Sequence, residues 1–481
     1  MVSLLQTEQA GALEHAKLEA RLDTEGRALL RQLMQDHLDL RAEREQRLRG
    51  VRDAQQVAHN SVESGHRRGL VSIFGEVKVR RLAYRARGSE NLYPADAALN
   101  LPAERHSHGL RRLAAIEAAR GSYDDAVEAI ARGSGQCLGK RQVEGLAARA
   151  AADFDAFYAT GKPAPGTTED VLVLSRDGKG VVMRPDALRP ATAAAAAKAT
   201  QKLATRLSRG EKRNRKRMAE VGTVYDCPPA ARSPADILPA TEDQRAAAAP
   251  GPVASNKWLT ASIVATAADV VGQIFDEACR RDPNHARTWV ALVDGNNQQL
   301  DRITAEARAR GAPITILIDF IHVLEYLWKV AWCFHTEGDP AVEAWVADKA
   351  RAILAGKATR VAGAIRRQAT KAGLAAPRRA GADTCAAYLT NKARHLDYPT
   401  ALAAGWPIAT GVIEGACRRL IKDRLDITGA RWGLPGAEAI LKLRALRSNR
   451  DFDAYWTYHL NQERRRTHQD RYADGVIPHT A

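Results

Sequence analysis

The sequence predicts an α/β protein with a mixed sheet flanked by helices and mainly helical segments on either side. Three observations in the middle of the 481 residues favour this fold class. Short aliphatic runs typical of buried strands alternate with longer segments of helical periodicity. Several of these runs end in an acidic residue. Stretches rich in Pro, Gly and Thr or Ala separate them from their surroundings, which indicates linkers and domain boundaries.

The first aliphatic run, Val171–Met183, reads VLVLSRDGKGVVM. Its Asp-Gly-Lys-Gly centre predicts a tight turn between two short strands, with Asp177 at the mouth of the hairpin. A carboxylate held on a rigid strand end suits metal binding. An exposed Asp in an ordinary turn is the simpler interpretation, and this segment alone leaves both open.

Alternating elements continue the α/β region after a third strand at Val221–Asp226. They are a helix at about Lys257–Arg281, a strand at Arg287–Val293, a helix at Asn297–Arg310 and a strand at Pro313–Ile318. Asp294 and Asp319 follow the two strands, and the carboxyl ends of strands are where α/β sheets place functional side chains. Any buried strand must also end in a polar residue, so neither acid is decisive by itself.

A further acid lies far downstream, in the segment ATGVIEGACRRLIKDRLDITGARWG. Glu414 stands in the first turn of a predicted helix whose later turns carry Arg418, Arg419 and Lys422. Alternatively, this Glu only stabilises the helix, through its favourable interaction with the positive end of the helix dipole. Together, three acids on separate elements would give an oxygen-only site, which selects Mg²⁺ or Mn²⁺, and paired ions suit phosphodiester cleavage. This order of strands and acids is the plan of ribonuclease H-like nucleases.

The N-terminal part predicts helices and one hairpin. Leucines at helical spacing between Leu22 and Leu38 indicate a long helix or helical pair, a pattern more typical of packing or self-association than of chemistry. A hairpin centred on Gly75 follows. Next come a helix capped by Ser122, a Gly-containing turn, and a second helix that begins at Lys140-Arg141 and runs toward Phe157. That outline is typical of a helix-turn-helix, although plain helical packing would look the same.

The charge balance favours a polyanionic partner. Lys and Arg number 72 against 56 Asp and Glu, a net charge of +16. Nucleic acid is favoured over membrane, because no stretch approaches about 18 uncharged apolar residues. The six cysteines form no CxxC pair and indicate buried thiols in a reducing cytoplasm.

A basic segment within 189–220 is the clearest candidate for contact with DNA phosphates. A solvated helix face is the alternative interpretation. Its basic residues are Arg206, Arg209, Lys212, Arg213, Arg215, Lys216 and Arg217.

Several segments together resemble bacterial insertion-sequence transposases of the ISKra group, relatives of the Mutator-like DDE transposases. They are LSRDGKGVVMRPDALRPAT, RLSRGEKRNRKRMAEVGTVYD, VDGNNQQLDRI, IDFIHVLEYLW and ATGVIEGACRRLIKDRLDITGARW. The resemblance covers residues 170–447, and the SIFGEVKVRRLAYR hairpin with the helical region after it is similar too. Together the motifs are specific, whereas any one alone would be weak.

The resemblance implies a role for individual residues. Asp177, Asp294 and Glu414 match the three acids that bind two Mg²⁺ or Mn²⁺ ions. Asp319 and His322 match the D-x-x-H element of Mutator-like enzymes, and Trp432 matches a tryptophan of the insertion or end region. Asp319 stays open as an alternative second metal ligand, and His322 as a core histidine.

The implied organisation has six parts. They are an N-terminal helical region (1–60), a hairpin and helix-turn-helix-like DNA-binding region (61–160), the first part of a ribonuclease H-like core (168–321), a helical insertion (322–406), the last-acid helix of the core (407–450) and a peripheral tail (451–481). The implied activity is cleavage at element ends and 3′-hydroxyl strand transfer into target DNA. Its partners would be double-stranded terminal inverted repeats and target DNA, bound by a homodimer or higher oligomer at the bacterial nucleoid. A non-catalytic DNA-binding regulator and a structure-specific nuclease are the alternatives.

Overall fold

The chain divides into two units, Met1–Thr160 with Arg450–Ala481, and Gly161–Asn449. The computed structural model describes residues 2–161, 166–199, 202–208, 211, 215–427 and 429–478. Within these ranges no helix is both long and apolar enough to cross a membrane.

The first unit begins with helices and a two-stranded antiparallel hairpin. The strands are β1 (Ser61–Ser72) and β2 (Gly75–Arg85). The helices are α1 (Val2–Leu5), α2 (Glu8–Gly11), α3 (His15–Glu43), α4 (Pro94–Ala98), α5 (His108–Arg120), α6 (Tyr123–Ser134), α7 (Lys140–Ala150) and α8 (Phe154–Thr160). The predicted hairpin is confirmed, and its turn needs glycine at 75, where φ is +135° and an added Cβ would lie 2.9 Å from Arg31.

Helices α6 and α7 form the predicted helix-turn-helix outline. Ser122 and Asp125 close a capping box at the start of α6, and Gly135 ends that helix in the left-handed conformation. The second helix is shorter than expected, because α7 stops at Ala150 and the chain turns before Phe154 starts α8.

The second unit is built on a five-stranded mixed sheet. Its strands are β3 (Val171–Val182), β4 (Lys216–Cys227), β5 (Ser255–Ser262), β6 (Trp289–Val293) and β7 (Ile314–Ile318). In the order β5-β4-β3-β6-β7, the first three pair antiparallel, while β3, β6 and β7 run parallel. The carboxyl ends of β3, β6 and β7 therefore lie at one edge of the sheet.

The hairpin predicted within Val171–Met183 is wrong, because the segment forms the single strand β3. Asp177 lies opposite Val221 inside an unbroken ladder with β4. Neither Gly178 nor Gly180 has the positive φ that a type I′ turn requires. The neighbouring strand supplies backbone partners along the whole segment, and this pairing overrides the local turn preference of Asp-Gly.

The helix predicted at Lys257–Arg281 is wrong in its first part. Residues Ser255–Ser262 form β5, where Trp258 and Leu259 are buried. The helix starts only after Thr266, whose side chain caps it. The bulky residues of this first part fit a half-buried pleated surface, which favours a strand over a helix.

Helices flank this sheet and fill the region predicted as a helical insertion. They are α9 (Pro190–Ala197), α10 (Pro234–Ile237), α11 (Glu242–Ala246), α12 (Ala267–Arg281), α13 (Asn297–Arg310), α14 (Phe320–Ala331), α15 (Ala341–Leu354), α16 (Ala358–Lys371), α17 (Ala376–Asn391), α18 (Tyr398–Ala403), α19 (Gly411–Cys417), α20 (Asp423–Leu425) and α21 (Leu434–Asn449). A π-helical turn, Arg418–Lys422, joins α19 to α20.

The C-terminal segment is not the peripheral tail that the sequence suggested. Residues 452–467 form α22 (Phe452–Thr467), and Tyr455 and His459 on it are fully buried in the first unit. Asp153 contacts His459 at 2.6 Å, and the Tyr455 hydroxyl donates to the Ala150 carbonyl at 2.7 Å. This segment is therefore part of the first unit's core.

Candidate active site

Asp177 stands on β3 just beyond the part of that strand that pairs with β6. That parallel pairing ends at Ser175 opposite Leu292. The Asp177 side chain is half-buried, and its Oδ1 accepts a hydrogen bond from the Gly178 amide at 2.6 Å. Its Oδ2 accepts from the Cys417 thiol at 3.3 Å. The carboxyl group is thus held from its own strand and from α19.

Asp294 is the first residue after β6, on the strand next to β3. It is exposed, and its Oδ1 accepts from the Asn296 amide at 2.8 Å, which shapes the turn into α13. Gly295 has a φ of +86°, and a Cβ there would lie 2.7 Å from the Tyr388 hydroxyl. That hydroxyl donates to the Asp294 carbonyl. Glycine is therefore required directly beside this acid.

Glu414 lies in the first turn of α19, and its side chain is exposed. The helix packs against β3 and β4. Cys417, one turn later, is buried and makes the contact with Asp177. Burial and the neighbouring Asp177 and Glu414 carboxyl groups raise the pKa of the Cys417 thiol, so it stays protonated and can donate. Sequence reasoning missed Cys417, because nothing local pairs it with a residue on a distant strand.

Asp319 is placed differently from the other acids. It is fully buried after β7, where its Oδ1 accepts from the Ile321 amide at 2.8 Å and caps α14. Its Oδ2 accepts from the hydroxyl of Thr410, the residue before α19. The Phe320 amide donates to the Ile408 carbonyl at 2.9 Å beside this contact. Asp319 thus ties the end of β7 to the start of the helix that carries Glu414.

The contacts of the two other supporting residues are to other groups. His322 is half-buried on α14, with its Nδ1 3.8 Å from Glu325. Trp432 is buried, and its indole donates to the Leu425 carbonyl at 3.0 Å. The backbone of Trp432 bonds to Val182 and Arg184, which extends the sheet beyond β3. Trp432 has a packing role here.

Arg176, which sequence reasoning also missed, adds a positive charge beside the acids. It is half-buried and forms an ion pair with Glu220 on β4. Burial and Arg302 lower its pKa, whereas the nearby Asp177 and Asp294 act in the opposite direction. Both acids therefore lie within electrostatic reach of one guanidinium group.

The predicted DNA-binding residues fall into three groups. Lys140 and Arg141 are exposed at the start of α7, where Lys140 pairs with Asp124. Arg418, Arg419 and Lys422 are exposed on the π-helical turn.

The third group is the basic segment. Arg217 is committed to the backbone, since its Nε donates to the Ile263 carbonyl at 2.7 Å. Lys216 is exposed and lies 3.8 Å from Asp426. Arg206 is exposed and Arg215 half-buried, both outside regular structure. Arg209, Lys212 and Arg213 lie outside the described residues.

The acids suit Mg²⁺ by donor type, because hard cations prefer carboxylate oxygens. The positions of the acids relative to one another match a metal site less well than their donor type does. Within residues 2–161, 166–199, 202–208, 211, 215–427 and 429–478, no three His, Cys, Asp or Glu side chains form a group that would hold a metal ion. Asp177 and Asp294 lie near Arg176, and Asp177 and Glu414 lie near Cys417, but the three acids are not preassembled as ligands.

Comparison with known proteins does not identify the chain. No family model matches it, and no curated protein is significantly similar to it.

Proposed function

We propose that this protein is a metal-dependent DNA transposase of an insertion sequence, with a ribonuclease H-like catalytic core. One observation carries the proposal. Asp177 and Asp294 stand at one edge of adjacent parallel strands, and Cys417 links Asp177 to the helix that presents Glu414. Three antiparallel strands, the first of which carries Asp177, are followed by helix α12 and by a strand that ends before Asp294. This order of strands and acids supports the ribonuclease H-like assignment, although the sequence assigned the second and third of these strands to other segments.

The chain's own residues would prepare the site. Asp177, Asp294 and Glu414 would hold two Mg²⁺ or Mn²⁺ ions, which supply Lewis acidity to the attacking and leaving oxygens. Cys417 fixes one oxygen of Asp177, and Gly295 sets the backbone that follows Asp294. Asp319 acts through Thr410 on the start of α19 and is proposed as a positioning residue.

The proposed reaction has two balanced steps. Water attacks a phosphorus at the element end and the P–O3′ bond breaks, which leaves a 3′-hydroxyl and a 5′-phosphate. That hydroxyl then attacks a target phosphodiester and displaces its 3′-oxygen, so one P–O bond forms as another breaks. Strand transfer therefore needs no external energy source.

DNA binding and self-association complete the proposal. The exposed basic start of α7 suits the phosphate backbone of double-stranded end or target DNA. Leu29, Leu30 and Leu33 of α3 are 45%, 45% and 56% exposed, whereas Leu38 is buried against the hairpin. An exposed leucine face supports a homodimer contact, which a reaction at two element ends requires.

Incubation of the purified chain with supercoiled plasmid and with end-containing DNA, in Mg²⁺ or Mn²⁺, tests this function. A transposase nicks the plasmid and gives products in which an element end is joined to target DNA. Cleavage without joined products would favour a structure-specific nuclease. Binding without any cleavage would favour a DNA-binding regulator and overturn the catalytic proposal.

A further inference from the structure

The exposed side of α16 carries a straight row of positive charges. The opposite side of this helix packs against α15 and α17 through its buried residues, which are Ala358, Val361, Ala362, Ile365 and Ala369. Arg360, Arg367 and Lys371 are exposed. At 3.6 residues per turn, these three lie within about 40° of one another around the helix axis and span about 17 Å along it. We call them the basic row.

The charge of the basic row is not balanced by neighbouring acids. Between Asp348 and Asp383 the sequence has nine Lys or Arg residues and no Asp or Glu. Arg379 of α17 pairs with Asp383 at 3.3 Å, whereas no residue of the basic row has a carboxylate partner in the described part of the chain. Solvated helix faces typically mix both signs of charge. The basic row instead presents one sign to a ligand.

The surface between these charges is small and polar. A Cβ added at Gly363 would lie 3.3 Å from Nη1 of Arg367, so the guanidinium group of Arg367 lies over this glycine, on the side toward Arg360. Nη1 of Arg379 donates to the Thr370 hydroxyl at 3.2 Å, which joins the start of α17 to the same surface. None of the exposed large apolar side chains in the described part of the chain lies on α16. The surface thus lacks the apolar anchors that protein partners use.

Helix α17 links this surface to the candidate active site. The hydroxyl of its Tyr388 donates to the Asp294 carbonyl at 3.3 Å. Tyr388 follows Arg379 by nine residues, which is about 14 Å along the helix axis. That length corresponds to roughly four base-pair steps of DNA. The basic surface is therefore close enough to Asp294 for one duplex to contact both.

We propose that the basic row of α16 is a docking surface for the phosphate backbone of double-stranded DNA flanking the cleaved bond. Charge complementarity supports this partner, because Lys and Arg neutralise phosphates and release their counterions. The choice of DNA among polyanions rests on the proposed function. A membrane is disfavoured, because an interfacial helix inserts its apolar side into the lipid and that side of α16 is buried in the protein.

Binding of the full chain to a short random-sequence DNA duplex at several salt concentrations, without divalent metal, tests the surface. The row variant combines Arg360→Gln, Arg367→Gln and Lys371→Gln, and glutamine keeps the helix propensity of these positions. We expect it to weaken binding roughly tenfold to a hundredfold and to reduce the slope of log K against log salt by about 2 to 3.

The matched control removes three positive charges elsewhere. It combines Lys17→Gln, Lys257→Gln and Arg308→Gln, exposed changes on α3, β5 and α13. This control should keep the parental slope and lose less than about twofold in affinity through its lower net charge. Because all six side chains are exposed, both variants should unfold at the parental urea concentration. In a further variant, Arg360→Lys with Arg367→Lys, the charge is kept and the parental slope should return.

Three results would overturn the surface. They are parental affinity and salt slope in the row variant, an equal loss in the matched control, and parental DNA binding in a row variant that no longer binds vesicles of phosphatidylserine. If the row variant loses affinity and slope as expected but the parent never cleaves DNA with Mg²⁺ or Mn²⁺, the surface stands and the transposase proposal fails. If the parent cleaves and the row variant binds and cleaves equally well, the transposase proposal stands and the surface fails.

Discussion

The Thr410 hydroxyl donates a hydrogen bond to the fully buried carboxyl group of Asp319. The two residues are 91 positions apart, and the intervening chain holds helices α14 to α18. Because Thr410 directly precedes α19, this contact sets where the helix bearing Glu414 begins. Asp319 is therefore best understood as part of the frame that positions the candidate active site.

Thr410→Val should destabilise the protein while keeping its shape. It leaves one oxygen of Asp319 buried without its donor, which costs about 1–3 kcal/mol. Urea unfolding of the full chain, followed by tryptophan fluorescence, measures this loss. Thr410→Ser keeps the hydroxyl and serves as the control. A Thr410→Val protein as stable as the parent would show that the contact contributes nothing.

Gly295→Ala should impair the site beside Asp294 more than backbone strain alone explains. The left-handed backbone costs about 1–2 kcal/mol for alanine, and the new methyl group would meet the Tyr388 hydroxyl at 2.7 Å. Gly311→Ala is the matched control, because its φ is +62° but no atom lies within 4 Å of an added Cβ. Urea unfolding and DNA cleavage of both variants separate crowding from strain. Equal losses in the two would argue against a special role for Gly295.

Acid should destabilise the first unit through Glu463. Burial acts to raise its pKa, but hydrogen bonds and charge from Arg111 and Arg466 lower it from 4.5 to about 2. The unfolded chain therefore binds the proton more tightly. The stabilisation is complete above pH 4.5 and is lost as the pH falls toward about 2.

Glu463→Gln tests this dependence. It removes the closer of the two carboxylates beside the fully buried Arg111, leaving Glu104 at 3.7 Å, and should cost at most about 3–5 kcal/mol near neutral pH. Thermal unfolding across the acid range should show the parent and the variant converging as the pH approaches 2. A constant difference at every pH would contradict the assignment.

Local signals explain which parts of the fold the sequence could predict. The helix Asn297–Arg310 has the predicted bounds, because Asn296 caps its start and the left-handed Gly311 ends it. The Asp-Gly pair at 177–178 gave a wrong prediction of a hairpin turn, because strand pairing with β4 outweighed its turn preference. A local signal therefore predicts the backbone conformation well unless pairing with a neighbouring strand, which the sequence does not show, overrides it.

The candidate site was predictable only in part. Acids at the ends of aliphatic runs could be found because strand ends are visible in the sequence. The contact from Cys417 to Asp177 spans 240 residues, and that from Thr410 to Asp319 spans 91. Neither pair has a spacing that local periodicity can reveal. The residues that position the acids therefore became visible only in the folded structure.

Single-residue variants test most directly whether Asp177, Asp294 and Glu414 form one metal-dependent site that cleaves DNA. Cleavage and joining of end-containing DNA in Mg²⁺ or Mn²⁺ should be compared for the parent, Asp177→Asn, Asp294→Asn, Glu414→Gln and Asp319→Asn, with DNA binding measured in parallel. We expect the first three variants to bind DNA but neither cleave nor join it, while Asp319→Asn keeps measurable cleavage. Cleavage that survives in any of the first three, or is lost only in Asp319→Asn, would show that these three acids do not form the catalytic site.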